Sequence, residues 1–210
     1  MPRAATNGDT LVQLDDATRS LLRVAAVVAG GEEPHVRAEL QRAVSITPHA
    51  WIEELLLQTY LFAGFPRALN AMREWRRITP TPVAPSVAPG DLRRQGEETC
   101  ERVYGTMYDR LRQNIRALHP ELDEWMILEG YGKVLSRAGL DLRRRELCIV
   151  AACAATAQDR QLQSHLHGAV NVGVAPGVVT AALGSLREVI PEVFLTRAIR
   201  LWERIRSAAE

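Results

Sequence analysis

The sequence predicts an all-α fold, and three observations carry that prediction. Apolar residues recur at helical spacing along most of the 210 residues, as in Leu21, Leu22, Ala25, Ala26, Val28 and Ala29. Short apolar runs such as Leu147–Val150 lack a period of two and sit inside longer helical patterns, so no strand is expected. Capping and breaking residues fall between the periodic segments.

Residues 1 to about 13 read as frayed. Asp15 or Asp16 caps a helix from near Ala17, because a carboxylate there accepts from free backbone N–H groups. Gly30-Gly31 ends it. Glu32–Val44 reads as a second helix, with Val36, Leu40, Ala43 and Val44 facing inward. Thr47-Pro48 opens a third, Ala50–Phe62, since threonine caps well and proline suits a first turn. Gly64-Phe65-Pro66 breaks it, and Arg67–Arg77 continues as a further helix. Thr79–Gly90 holds Pro80, Pro82, Pro85 and Pro89, which excludes a regular helix or a central strand. It is the expected linker, either a tether or a structured surface crossing. Asp91–Ala117 and Glu121–Arg137 follow as helices, separated at His119-Pro120. Gly139 then precedes Asp141–Val174, where two helical segments meet at a polar turn near Ala157–Asp159. Pro176–Leu186 and Pro191–Arg206 close the chain as two more helices.

A chain of this length is one large domain or two small ones. Its 26 basic and 25 acidic side chains leave a net charge of +1, so charge points neither to nucleic acid nor to a membrane surface. No stretch approaches the roughly 20 apolar residues that span a bilayer. Cys100, Cys148 and Cys153 cannot close a disulfide framework, which fits a reducing compartment. Asp9, Asp15 and Asp16 interrupt any signal-type apolar run. A soluble cytoplasmic protein is therefore expected.

The chain also matches itself. A shift of 126 residues places Val24-Ala25-Ala26 on Val150-Ala151-Ala152, Ala29 on Ala155, Leu40 on Leu166, and Ala43-Val44 on Ala169-Val170. Two related repeats follow. Their polar positions differ: Glu146 corresponds to Ser20, His165 to Glu39 and His167 to Gln41. One copy has kept a carboxylate and an imidazole where the other has not.

The stretch Ser136–Val174, SRAGLDLRRRELCIVAACAATAQDRQLQSHLHGAVNVGV, together with EGYGKVL (Glu129–Leu135) and ERVYG (Glu101–Gly105), resembles the carboxymuconolactone decarboxylase family. That family shares a superfamily with the alkylhydroperoxidase AhpD. The A-x-N-x-G ending is Ala169-Val170-Asn171-Val172-Gly173, and LQTYLFAGFPRALNAM (Leu57–Met72) resembles the family's downstream helix pair. The resemblance implies an AhpD-like helical bundle. Residues 15–77 would form a degenerate N-terminal repeat, 78–90 the linker, and 91–208 the C-terminal repeat. The peroxidase branch carries a glutamate, a C-x-x-C pair and a histidine. Those positions are here Glu146, Gln158, Gln161 and His165, so both thiols are missing.

Decarboxylation of a small carboxylated lactone or a related acid is the activity the resemblance implies. His165 is the expected proton donor and Glu146 its orienting partner. Arg160 or Arg145 is expected to hold a substrate carboxylate in bidentate fashion. No metal or organic cofactor is expected. His165 and His167 point about 200° apart on a helix of ~3.6 residues per turn, which argues against a two-histidine metal site. Cys148 and Cys153 read as small core residues, whereas Cys100 follows a polar run and reads as exposed. A thiol-less member of the peroxidase branch and a non-catalytic oligomeric binding protein are the alternatives. Family members form rings, so a homo-oligomer, a trimer of two-repeat chains, is expected. The apolar face Trp51–Leu57 is a candidate for burial between subunits.

Overall fold

The computed structural model describes residues 11–80 and 90–208. The segment expected to be the linker lies almost wholly outside the described residues, as do residues 1–10. The described chain is all-α, an AhpD-like bundle. The only β-type pairing among the described residues is an isolated bridge between Leu11 and Val174.

Four helices open it: α1 (Asp16–Gly30), α2 (Glu33–Ala43), α3 (His49–Ala63) and α4 (Phe65–Ile78). Asp15 caps α1, its carboxylate accepting from the Thr18 N–H at 2.7 Å. Then come α5 (Leu92–Tyr104), a 3-10 turn (Gly105–Met107), α6 (Tyr108–Leu118), α7 (Pro120–Trp125) and a π-helix (Met126–Leu135). The chain closes with α8 (Leu142–Ala155), α9 (Asp159–Asn171), α10 (Pro176–Gly184) and α11 (Glu192–Ser207). The starts of α8 and α9 lie 126 residues after those of α1 and α2. The starts of α10 and α11 lie 127 after those of α3 and α4.

Helix α8 is the axis of the molecule. Every residue of it except Arg143 and Arg144 is buried. Its alanines and Cys148 and Cys153 leave room for helices to approach closely on several sides. Helix α1 runs beside it in the same direction. Arg144 near the start of α8 reaches the Asp15 carboxylate at 2.9 Å. At the other end, Gly30 abuts Ala155 so closely that a Cβ there would lie 2.7 Å from the Ala155 carbonyl oxygen. Leu21, Leu22 and Val24 of α1 and Leu147 and Ile149 of α8 are fully buried. A fully buried side chain of this kind contributes roughly 1.5–3 kcal/mol.

Two expected helices differ in form. Asp91–Ala117 is not continuous, because Gly105 adopts φ 53°, a conformation open to glycine that ends α5 and turns the chain into α6. Glu121–Arg137 is a short α-helix that widens into a π-helix. That π-helix is clamped on α5, since a Cβ on Gly132 would fall 2.1 Å from the Leu92 carbonyl oxygen and one on Gly96 2.2 Å from that of Ile127. Two further expectations are corrected. Cys100 is fully buried, because it sits on the inner face of α5 with Val103. The Trp51–Leu57 face is mostly turned inward, with Ile52, Leu55 and Leu56 buried and Leu57 the exposed member.

Candidate active site

Helices α8 and α9 form a hairpin about the Thr156–Gln158 turn, where Ala157 takes φ 54°. This brings Glu146, in the second turn of α8, level with His165 in the middle of α9. The His165 Nδ1 lies 2.8 Å from Glu146 Oε2. An ionised carboxylate only accepts, so Nδ1 carries the hydrogen and Nε2 is left for chemistry. Glu146 is fully buried, and its Oε1 has no hydrogen-bond partner. Gly168, one turn beyond His165, makes the pairing sterically feasible, since a Cβ there would fall 2.6 Å from Glu146 Oε2 and 2.7 Å from Val103 Cγ1.

His165 retains 7% of its side-chain surface, and it borders a cavity of about 400 Å³. Phe62 and Tyr104 meet the imidazole edge-on, with ring centroids 5.7 and 6.5 Å away. Leu111 and Ile115 from α6, with Leu122 and Trp125 from α7, form the outer wall. The π-helix supplies Met126, Glu129 and Tyr131. The Tyr104 and Tyr131 rings meet edge-on with centroids 6.2 Å apart, and burial pushes both phenols well above their usual range. Both phenols therefore stay neutral.

The other expected residues lie elsewhere. Arg145 is fully buried. It donates to Glu54 Oε2 at 2.8 Å, Gln58 Oε1 at 3.2 Å, and the Leu140 and Arg137 carbonyls at 3.0 Å each. Burial pulls its pKa below the ordinary guanidinium value, against the Glu54 carboxylate. Burial would raise the Glu54 pKa, but Arg137 and Arg145 outweigh it and hold that carboxyl below its usual range. This guanidinium ties α8 to α3 and borders no part of the cavity. Arg160 is exposed in the first turn of α9, also outside the cavity lining. Gln161 lines the cavity, while Gln158 is the N-cap of α9. His167 is exposed. Among the described residues no three His, Cys, Asp or Glu side chains gather as metal ligands. All three cysteines are free and buried. Burial raises the thiol pKa of Cys100 and of Cys153 to about 12, and that of Cys148 likewise upward.

Sequence reasoning missed Phe62, Tyr104, Tyr131 and Trp125 as walls of the site. Phe62, Tyr104 and Tyr131 lie inside the segments that carry the family resemblance, and Trp125 on a helical face, but neither signal says which face meets which. A second cleft, of about 420 Å³, lies between α1, α2 and α4 and is lined by Glu32, Glu33, Glu74 and Arg67 among others. It contains none of the expected site residues.

Residues 120–190 match the model of the Carboxymuconolactone decarboxylase family, a span that includes Glu146 and His165. The chain is also similar to two proteins named Peroxisomal protein 2. The one from Schizosaccharomyces pombe is 28% identical over 147 residues, 67% of this chain and 69% of that protein. The one from Saccharomyces cerevisiae is 24% identical over 166 residues, 64% of this chain and 59% of that protein. These relatives correct the cytoplasmic expectation, because their name points to the peroxisome. Free buried cysteines mark a reducing setting without saying which one, and a receptor-read address leaves no trace in composition. No helix among the described residues is long and apolar enough to cross a membrane.

Proposed function

We propose that this chain is a decarboxylase of the carboxymuconolactone type, acting on a small carboxylated lactone or a related acid. The observation that carries the reading is the 2.8 Å contact between His165 Nδ1 and Glu146 Oε2 on the wall of a cavity. In the proposed step the bond from carbon to carboxylate breaks and carbon dioxide leaves. The electron pair passes into the conjugated carbonyl as an enolate. The carbon then takes a proton from Nε2 of the His165 imidazolium, and solvent restores that proton. Glu146 fixes the ring and stabilises its charged form. The apolar walls favour the spread charge of the enolate over the compact charge of a carboxylate.

A thiol peroxidase reading is disfavoured, because glutamines occupy both thiol positions and burial keeps all three cysteines protonated. The offset of 126–127 residues between the starts of α1–α4 and α8–α11 supports descent from a duplicated unit. A homo-oligomer, with a trimer as the first candidate, is supported by Leu118, Leu122 and Trp125, which stand exposed close together on α6 and α7. Light scattering on the purified chain tests it.

The decisive experiment is a turnover screen of lactone acids and unsaturated acids with wild type and His165→Ala. Loss of a positioned acid–base group is expected to lower the rate by about 10²–10⁴-fold. Equal rates for the two proteins would remove His165 from the mechanism.

A further inference from the structure

The geometry points to a second half of this site: the Tyr104 and Tyr131 phenols form a donor pair that takes the oxyanion of a planar enolate while His165 meets its carbon. The inference rests on the proton-transfer reading for the reaction, and on the cavity wall for the donors.

Two observations carry it. The first is how each phenol is engaged. Of the four tyrosines, Tyr60 donates to Glu129 at 3.4 Å, and the Tyr108 hydroxyl accepts from Arg112 at 2.8 Å. Neither lines the cavity. Tyr104 and Tyr131 do line it, and no charged side chain among the described residues hydrogen-bonds either hydroxyl. A buried hydroxyl that lacks a strong partner costs free energy, and phenylalanine would fill the same space without that cost. Tyr104 lies edge-on to both Tyr131 and His165, with centroids 6.2 and 6.5 Å away. One small ring in the cavity can therefore meet all three groups.

The second observation is the π-helix. Met126, Gly130, Tyr131 and Leu135 all line the cavity. In an α-helix Met126 and Leu135 would point about 180° apart, at ~3.6 residues per turn. The wider π-helix makes about two turns over the same stretch, which returns both to one face, and Tyr131 falls on that face between them. Such segments are rare and concentrate at functional sites. Here the widening is what carries a second phenol to the cavity.

In the decarboxylation step the electron pair left behind by carbon dioxide ends on the carbonyl oxygen. A phenol O–H donates to that oxygen without giving up its proton, because burial keeps both phenols neutral. The proton of the new C–H bond still comes from Nε2 of His165, so the balance of the step is unchanged. Fixed donors favour the full charge that develops over the partial charge of the ground-state carbonyl.

Two probes test this by calorimetric titration of the full chain: tetronate, a five-membered lactone that is an enolate at neutral pH, and 2(5H)-furanone, an uncharged lactone of the same ring size. Wild type is expected to bind tetronate at least about tenfold more tightly. The double variant Tyr104→Phe, Tyr131→Phe keeps both rings and should lose most of that preference, while furanone binding reports that the cavity is intact. If the double variant binds neither probe, the single variants decide: each should weaken tetronate relative to furanone by about threefold or more. Equal binding of the two probes to wild type, or binding of neither, would overturn the proposal. So would a preference that survives the loss of the hydroxyls and disappears in His165→Ala, since the imidazole would then be what holds the anion. On any acid found in the turnover screen, the double variant should lower kcat by about 10²–10³-fold with little change in KM. An unchanged kcat would remove the phenols and leave His165 in its role. A tetronate preference that tracks the phenols, beside turnover of no acid, would sink the decarboxylase reading and leave the oxyanion site standing.

Discussion

Helices α1 and α2 on one side, α8 and α9 on the other, are two hairpins with the same spacing and opposite capacities. In the second, a buried carboxylate meets an imidazole. In the first, Ser20 and Glu39 stand at the corresponding positions, and Glu39 is gripped by Arg23 through hydrogen bonds of 3.1 and 3.0 Å. Burial would raise the Glu39 pKa, but Arg23 and Arg42 overcome it and hold the acid ionised. A guanidinium never gives up its proton near neutral pH, whereas an imidazole does. The helix frame alone therefore does not make a proton-handling site. The partner of the acid decides it, together with the α5 and π-helix layer that walls a cavity around His165 on α9.

The comparison is broken most severely by Gly168→Val. The new side chain would drive Glu146 away from His165, and turnover should fall by about 10²-fold or more. Overpacking should cost about 1–3 kcal/mol of stability as well. Denaturant melts and rates on the same preparation check both, and a variant with normal turnover would mean that the pair is not needed. Arg145→Met comes next. Glu54 keeps Arg137, but a buried pair is broken, and unfolding should become easier by about 3 kcal/mol. Urea titration reads this, with Phe62 and His165 left in place.

Acid sharpens the contrast on the side of the ion pairs. Glu39, Glu54 and Asp123 all have folded pKa values below the ordinary carboxylate range, Asp123 chiefly through the hydrogen bond from Arg112. A lowered folded value means that the unfolded state binds protons first as pH falls. Their contribution is complete above about pH 5 and is lost as pH drops through the lowered folded values. Thermal melts between pH 7 and 3 should show this decline. Glu54→Gln should flatten its slope, and an unchanged slope would remove Glu54 as a source. The smallest effect is expected from Arg160→Ala. Stability should stay within about 0.5 kcal/mol, and KM should change by less than about twofold, because the side chain lies off the cavity. A tenfold rise in KM would return Arg160 to the binding site.

Much of the fold was legible in the sequence because it is local: helical periodicity and the cap at Asp15 are written in adjacent residues. The Glu146–His165 pair was legible because a helical hairpin has one natural alignment. The cavity was not. Phe62, Tyr104 and Trp125 come from separate helices, and nothing local says that they converge. The break at Gly105 and the widening after Trp125 depend on backbone angles that a periodic pattern does not record. Arg145 misled for a related reason. It was expected to hold a substrate carboxylate, yet one member of a three-arginine run on a helix must point inward, and here Glu54 and Gln58 accept from it instead.

Arg144 lies where the two central helices begin. It hydrogen-bonds the Asp15 carboxylate, the Thr18 hydroxyl at 2.8 Å and the Asp141 carboxylate at 2.7 Å, and its guanidinium lies over the Trp51 ring at 4.3 Å. Two helices pointing the same way crowd their positive ends together, and the two aspartates neutralise that crowding while one cation knots them. A piece of the chain cut off near Pro80 would lose this knot and bare the leucine and valine stripe of α1 to water. Such a fragment should precipitate or pair with itself, and the whole chain should melt in a single step.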